Sequence, residues 1–265
     1  TVWNRTASKC DGVVAKGAKL AASPADVANA ADIVFACVMD AKAMEQVAFG
    51  TGGLAEAKNG AGKIVVDHSS IDPESTRSIV SRLRAANGMR WIDAPVSGGV
   101  KGAADGTLAI MAGGDPTDFA AVEPVVKHLA GRFTLMGPTG AGQVTKLINQ
   151  LMVVSYVAAT AEAVNLARNS GVDPLKLTEA LAGGWADSKP FQTFVPRMAK
   201  GYDSVIGATS TFVKDMNAVR ALAVATGTPL LVAGLAGELM RTLVAQGRGD
   251  GEPSDLASLY APPKK

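Results

Sequence analysis

Cysteine and histidine are scarce in this sequence: Cys10 and Cys37, His68 and His128, two of each in 265 residues. Two thiols make no disulfide framework, and the four side chains are too scattered to form a metal-ligand cluster, so no metal site is expected. Charge of one sign is missing as well. Lys and Arg number 26 against 24 Asp and Glu, with no basic run or stripe of the kind that tracks nucleic acid. No uninterrupted apolar run is long enough to span a bilayer. The stretch after Gly142 comes nearest and is broken by Lys146, Asn149, Gln150 and Glu162. No signal peptide is expected either, and with so few cysteines a reducing, cytoplasmic location is expected.

What is present is apolar and patterned. Hydrophobic residues make up 48% of the chain, enough for a large core or two smaller ones. Up to about residue 137, short β-rich runs alternate with helical ones. Strands are expected at Thr1–Trp3, Ile33–Val38, Lys63–Asp67, Arg90–Ala94, Leu108–Ala112 and Phe133–Met136. Helices are expected near 8–16, from Pro24 behind the cap Ser23, over 41–49, from Asp72-Pro73 to about Ala86, and over 116–130. Such alternation predicts an open α/β sheet of parallel strands. After Gly142 only helices are expected, broken at Gly171-Val172-Asp173-Pro174, Gly183-Gly184, Gly207 and Thr226-Gly227-Thr228-Pro229, with a frayed tail from Ala261. The domains are drawn at 1–142 and 143–260.

Several stretches carry possible chemistry. Lys146 lies one turn into the long apolar helix, and Asn149 and Gln150, at i+3 and i+4, share its face. A cation beside two amides can hold and protonate a carbonyl oxygen; the plainer reading is a surface lysine. Ser97-Gly98-Gly99 offers a hydroxyl and bare backbone N–H groups to a carboxylate, or is a plain turn. These glycines do not replace a phosphate-binding turn, being too late in the chain with no helix directly after them. Asp67-His68-Ser69-Ser70 ends a buried strand with hydroxyls where a nicotinamide ring would lie, or caps the next helix. His68 has no carboxylate placed by spacing to orient it as a base. Asn4-Arg5-Thr6 follows the strand that in a dinucleotide-binding fold ends over the adenosine ribose. Arginine beside a neutral residue there suits a 2′-phosphate, and so NADP over NAD. Lys214-Asp215 reads most plainly as a surface ion pair.

Together, in order and spacing, Val2–Thr6, Asp67–Pro73, Asp93–Gly99, Gly140–Gln150 and Lys214-Asp215 resemble the β-hydroxyacid (3-hydroxyisobutyrate) dehydrogenase family, nearest its glyoxylate, succinic semialdehyde and tartronate semialdehyde reductases. The resemblance implies a Rossmann-like doubly wound α/β domain followed by an all-α domain that associates into a homodimer or homotetramer. It implies that Lys146 is the catalytic lysine and that Ser97, Gly98 and Gly99 hold the substrate carboxylate. Asn149 or Gln150 then touches the substrate. Asn4, Arg5, Thr6, Val38, Met39, Ser70 and Lys214 lie at the cofactor, NADPH before NADH; Met39-Asp40 departs from the Leu-Pro of many members. The family's opening strand and glycine-rich turn are not in this sequence, which begins with Thr1-Val2-Trp3, so a truncated dinucleotide site is expected. The implied reaction interconverts a short hydroxy acid and its aldehyde acid. Two rivals are a non-catalytic dehydrogenase-like dimerisation module and an imine reductase; relatives of both kinds generally lack the lysine.

Overall fold

The computed structural model describes residues 1–260; the tail from Ala261 lies outside the described residues. Its contacts divide the chain into two compact units, Thr1–Lys146 and the part from Leu147 onward.

In the first unit the helices are α1 (Asp11–Val14), α2 (Pro24–Asn29), α3 (Ala41–Phe49), α4 (Pro73–Asn87), α5 (Gly99–Ala104) and α6 (Pro116–Val126). The strands are β1 (Ile33–Ala36), β2 (Ile64–Asp67), β3 (Arg90–Asp93), β4 (Val96–Ser97), β5 (Leu108–Gly114) and β6 (Ala130–Gly137). The helix starts follow from local chemistry. Ser23, Asp40, Asp72 and Asp115 each accept a backbone N–H with the side chain, and Pro follows three of these caps at N1. Gly88, left-handed at φ 80°, ends α4.

The sheet is mixed, where an all-parallel one was expected. β1, β2 and β3 run parallel, β5 is antiparallel to β3 and β4, and β6 is parallel to β5. Ten residues, 98–107, separate β4 from β5, fewer than the dozen or so that a parallel crossover needs, which is compatible with the antiparallel pairing. β4 continues the line of β3 along one edge of β5, after a break where Pro95 offers no N–H but its carbonyl accepts from the Met111 N–H at 3.1 Å. Side-chain alternation sends Val65 and Trp91 into a core with α3 and α4, and Ile64, Val66 and Ile92 into a second core with α6. Helices thus cover both faces, as expected of a doubly wound sheet.

Three further expectations are corrected. Thr1–Trp3 is no strand: Val2 makes a single bridge to Leu20, and the Asn4 side chain then captures the Thr6 N–H at 2.9 Å and turns the chain. The run from Ile33 ends as strand at Ala36 and is not fully buried, since β1 is the last strand on its side of the sheet and leaves Phe35 exposed. A helix does follow Gly98-Gly99 directly, the short α5.

The second unit is helical, with no strand among the described residues. α7 (Ala141–Asn169) enters it from the first unit. It is followed by α8 (Leu177–Ala180), α9 (Lys189–Lys200), α10 (Thr209–Thr226), α11 (Leu231–Ala245) and a 3₁₀ segment, Pro253–Tyr260. By length and composition α7 does reach what a membrane span requires, despite its polar interruptions. Its other properties are those of a core helix. Leu147, Val154, Val157, Ala161 and Val164 pack with Phe194, Val195, Met216 and Met240.

Candidate functional site

The carboxyl ends of β1, β2 and β3 come together by strand register: Ala36 opposes Asp67, and Asp67 opposes Asp93. In open α/β sheets this is the end at which ligands bind. Here the strands end on two carboxylates and a histidine.

Asp67 is fully buried. Its Oδ1 accepts the Ser69 N–H at 2.9 Å, and its Oδ2 has no hydrogen-bond partner. Burial pushes its pKa up to about 7, assisted by the charge of Asp93 and opposed by the hydrogen bonds from Ser69. Ser69 Oγ accepts the Val38 N–H at 2.8 Å and so ties the loop after β1 to the loop after β2. His68 is engaged elsewhere. Its Nδ1 donates to the Ala94 carbonyl at 2.7 Å and its ring stacks on Phe35. Burial lowers its pKa, which the Ala94 bond only partly offsets, so the ring is neutral. Cys37 is exposed, yet partial desolvation raises its thiol, with the Asp67 charge adding to it, which disfavours a reactive thiolate.

Asp93, also fully buried, faces the start of α7. Its Oδ1 accepts from Gly140 N at 2.8 Å and its Oδ2 from Gln143 N at 3.1 Å. Burial raises this carboxyl; the bonds from Gly140, Gln143 and Gly142 pull the other way. Gln143, with no exposure at all, donates to Ser69 O at 2.8 Å and accepts from Ile71 N at 3.2 Å. The start of α7 is therefore laced to the ends of both β2 and β3. Lys146 follows on that helix and is buried, at 9% exposure, which rules out the plain surface lysine. The segment from Asp93 to Ser97-Gly98-Gly99 leaves the same strand end. Gly98 at φ 133° and Gly99 at φ 64° hold a turn that a side chain would strain, and the space beside Gly99 is open.

The remaining cofactor candidates of this unit are placed as follows. Asn4 and Thr6 close a turn that leaves Arg5 exposed. The Val38 backbone is held by Ser69, Met39 is 67% exposed, and Ser70 is half-buried. The exposed guanidinium suits a phosphate, and the Met39 thioether offers an apolar surface, so these residues fit a dinucleotide.

In the second unit, Asn149 Nδ2 donates to Gln150 Oε1 at 2.9 Å, and Gln150 Nε2 donates to Asp215 Oδ2 at 2.6 Å. Lys214 Nζ lies 3.2 Å from Asp215 Oδ1. Asp215 is only 4% exposed while Lys214 stays partly exposed, so the pair is half-buried and closes a chain of polar contacts from Asn149 through Gln150. Sequence spacing did not single out Asp93, Gln143 or Asp215 as site residues. All three stand inside motifs of the sequence, but these partners lie 47 to 74 positions away.

Comparison with known proteins gives this geometry a lineage. Residues 1–137 match the family described as the NAD binding domain of 6-phosphogluconate dehydrogenase. Residues 140–260 match the NAD-binding family of NADP-dependent 3-hydroxyisobutyrate dehydrogenase. The chain is 35% identical to 2-hydroxy-3-oxopropionate reductase of Escherichia coli over 93% of its own length and 84% of that protein's. It is 32% identical to L-threonate dehydrogenase of Cupriavidus necator, over 90% and 80%. The crystal structure of a 3-hydroxyisobutyrate dehydrogenase from Salmonella typhimurium superposes with a TM-score of 0.85 at 29% identity, over 97% of this chain and 90% of that one. With both families matched in sequence order along one chain, and the two units folded as a Rossmann sheet and a helical domain, this protein belongs to the 3-hydroxyisobutyrate dehydrogenase family of NAD(P)-binding oxidoreductases.

Proposed function

We propose that this chain reduces a short aldehyde acid to its hydroxy acid, and catalyses the reverse oxidation, with NADPH preferred to NADH. The observation that carries the reading is Lys146: a buried cation on a helix whose start is tied to the carboxyl ends of β2 and β3. The cofactor supplies the hydride to the carbonyl carbon. Lys146 Nζ gives a proton to the oxygen as it becomes an alkoxide and stabilises its charge. The backbone N–H groups of Gly98 and Gly99 and the Ser97 hydroxyl hold the carboxylate, fixing which atom meets the lysine. Asn149 or Gln150 is the amide at the substrate; the bond from Gln150 to Asp215 and the bond from Asn149 to Gln150 support Asn149. Arg5 would hold the ribose 2′-phosphate of NADPH, and Asn4, Thr6, Val38, Met39, Ser70 and Lys214 would complete the cofactor contacts.

The resemblance to 2-hydroxy-3-oxopropionate reductase supports a small α-hydroxylated aldehyde acid as substrate. The free thiols Cys10 and Cys37 suit a cytoplasmic setting, and the exposed apolar stripe of α7 suits a homo-oligomer. The test is NADPH and NADH oxidation, followed by absorbance, against 2-hydroxy-3-oxopropionate, glyoxylate and succinic semialdehyde. Lys146→Ala should lower kcat by about 10²–10⁴-fold with cofactor affinity kept. Turnover near wild type in the folded variant would remove Lys146 from the mechanism. Faster turnover with NADH would overturn the reading of Arg5.

A further inference from the structure

The helix that carries Lys146 has no cap of its own. Gly140, which precedes it at φ 92°, brings no side chain, and no acidic residue stands in the first turn. The first N–H groups of a helix need partners, and here a carboxylate 47 residues back from Gly140 accepts from Gly140 N, just before the helix, and from Gln143 N in its first turn. The fit around that carboxylate is close. A Cβ on Gly113 would stand 2.7 Å from both Asp93 oxygens. A Cβ on Gly142 would stand 2.6 Å from the Asp93 carbonyl and 2.8 Å from its Oδ2. Glycine at both places lets β5 and the helix start close on one buried acid.

We propose that Asp93 is the positioning residue for Lys146: by accepting from Gly140 N and Gln143 N at the start of α7 it sets the depth and rotation at which the lysine is presented, and as a carboxylate it puts negative charge at that helix start. The proposal rests on the reading of Lys146 as proton donor. Lys146 lies six residues past Gly140, about 9 Å along the axis at 1.5 Å per residue. Over that distance a helix is stiff, so a shift or turn at Gly140 passes to the lysine nearly undiminished. Gln143, tethered to Ser69 and Ile71, secures the same turn from the β2 side but brings no charge.

Asp93→Asn keeps one acceptor and removes the charge. It should lower kcat about 10- to 100-fold with KM for 2-hydroxy-3-oxopropionate within about 2-fold, move the basic limb of the kcat pH profile to lower pH, and speed amide hydrogen exchange at the first turn of α7. Asp115→Asn, which weakens the cap of α6 by the same chemistry, is the control and should leave kcat and the pH profile unchanged. An Asp93→Asn enzyme with wild-type kcat and pH profile, beside an inactive Lys146→Ala, overturns the positioning role alone. Activity surviving in Lys146→Ala instead sinks the reading beneath it. If Asp93→Asn does not accumulate folded, Gly140→Ala displaces the same donor. At φ 92° the new Cβ strains this turn, and it meets the end of the flexible Arg77 side chain at 2.6 Å and the Pro73 carbonyl at 3.4 Å; the same kcat-selective loss is required of it.

Discussion

A carboxylate with no exposure and one unpartnered oxygen makes Asp67 a residue whose proton count differs between folded and unfolded chains. Its folded pKa of about 7 stands above the ordinary 3.8. Below pH 3.8 both states hold the proton and burial costs nothing. As pH rises from there the unfolded chain releases it while the folded one does not, so stability falls until about pH 7 and is level beyond. About three pH units at about 1.4 kcal/mol each make this loss on the order of 4 kcal/mol. Asp67→Asn, which can still accept from Ser69 N, should abolish the trend. Thermal melts at pH 5 and pH 8 check this: the variant should gain on the wild type at pH 8. A stability difference that is the same at both pH values contradicts the assignment.

At the scale of elements, the end of the second unit is held by one buried ion pair. Glu252, fully buried, takes two bonds of 2.5 Å from Arg197 of α9, a short bond from Ser254 and the Ile206 N–H at 3.3 Å. Together these fasten the Pro253–Tyr260 segment and the loop before α10 onto α9. Burial pushes the Glu252 carboxyl up, but Arg197, Ser254 and Ile206 outweigh it and leave it below 4.5. Stability from this group is therefore present above pH 4.5 and is lost as pH falls through the lower folded value. Arg197→Met strands the carboxylate and should cost about 3–5 kcal/mol at pH 7. Acid should then reduce the deficit, since protonation relieves an unpaired buried charge. Urea unfolding at pH 7 and pH 4 reads both effects; a deficit under 1 kcal/mol, or one that grows in acid, would contradict the account.

At the scale of the whole molecule, the exposed side of α7 carries the proposed contact with a second copy. Ile148, Met152, Tyr156 and Leu166 are spaced to fall on one helix face and are exposed, Leu166 to 69%. A contiguous apolar strip of this kind marks an interaction surface, and a second copy of the chain is the expected occupant. Sedimentation velocity at micromolar concentration should show a dimer or larger species, and Met152→Asp with Leu166→Asp should shift it to monomer without unfolding. A wild-type chain that sediments only as monomer removes the dimer from the description.

Local pattern and local chemistry by themselves determined most element types, the helix caps at Ser23 and Asp72, the change from alternating to all-helical structure and the motifs that resemble the family. All of these depend on neighbours within a few residues, where propensity, periodicity and capping act. Tertiary structure alone decided that Val2 makes one bridge instead of a strand, that β5 turns antiparallel beside β3, and that Lys146 and Asp215 are buried. It also decided that Asp93 seats a helix beginning 48 residues later and that Gln150 is spent on Asp215. Hydrogen bonds and burial between residues so far apart have no period or spacing in the chain. They exist only once packing has brought the partners together and excluded water from the groups that pair.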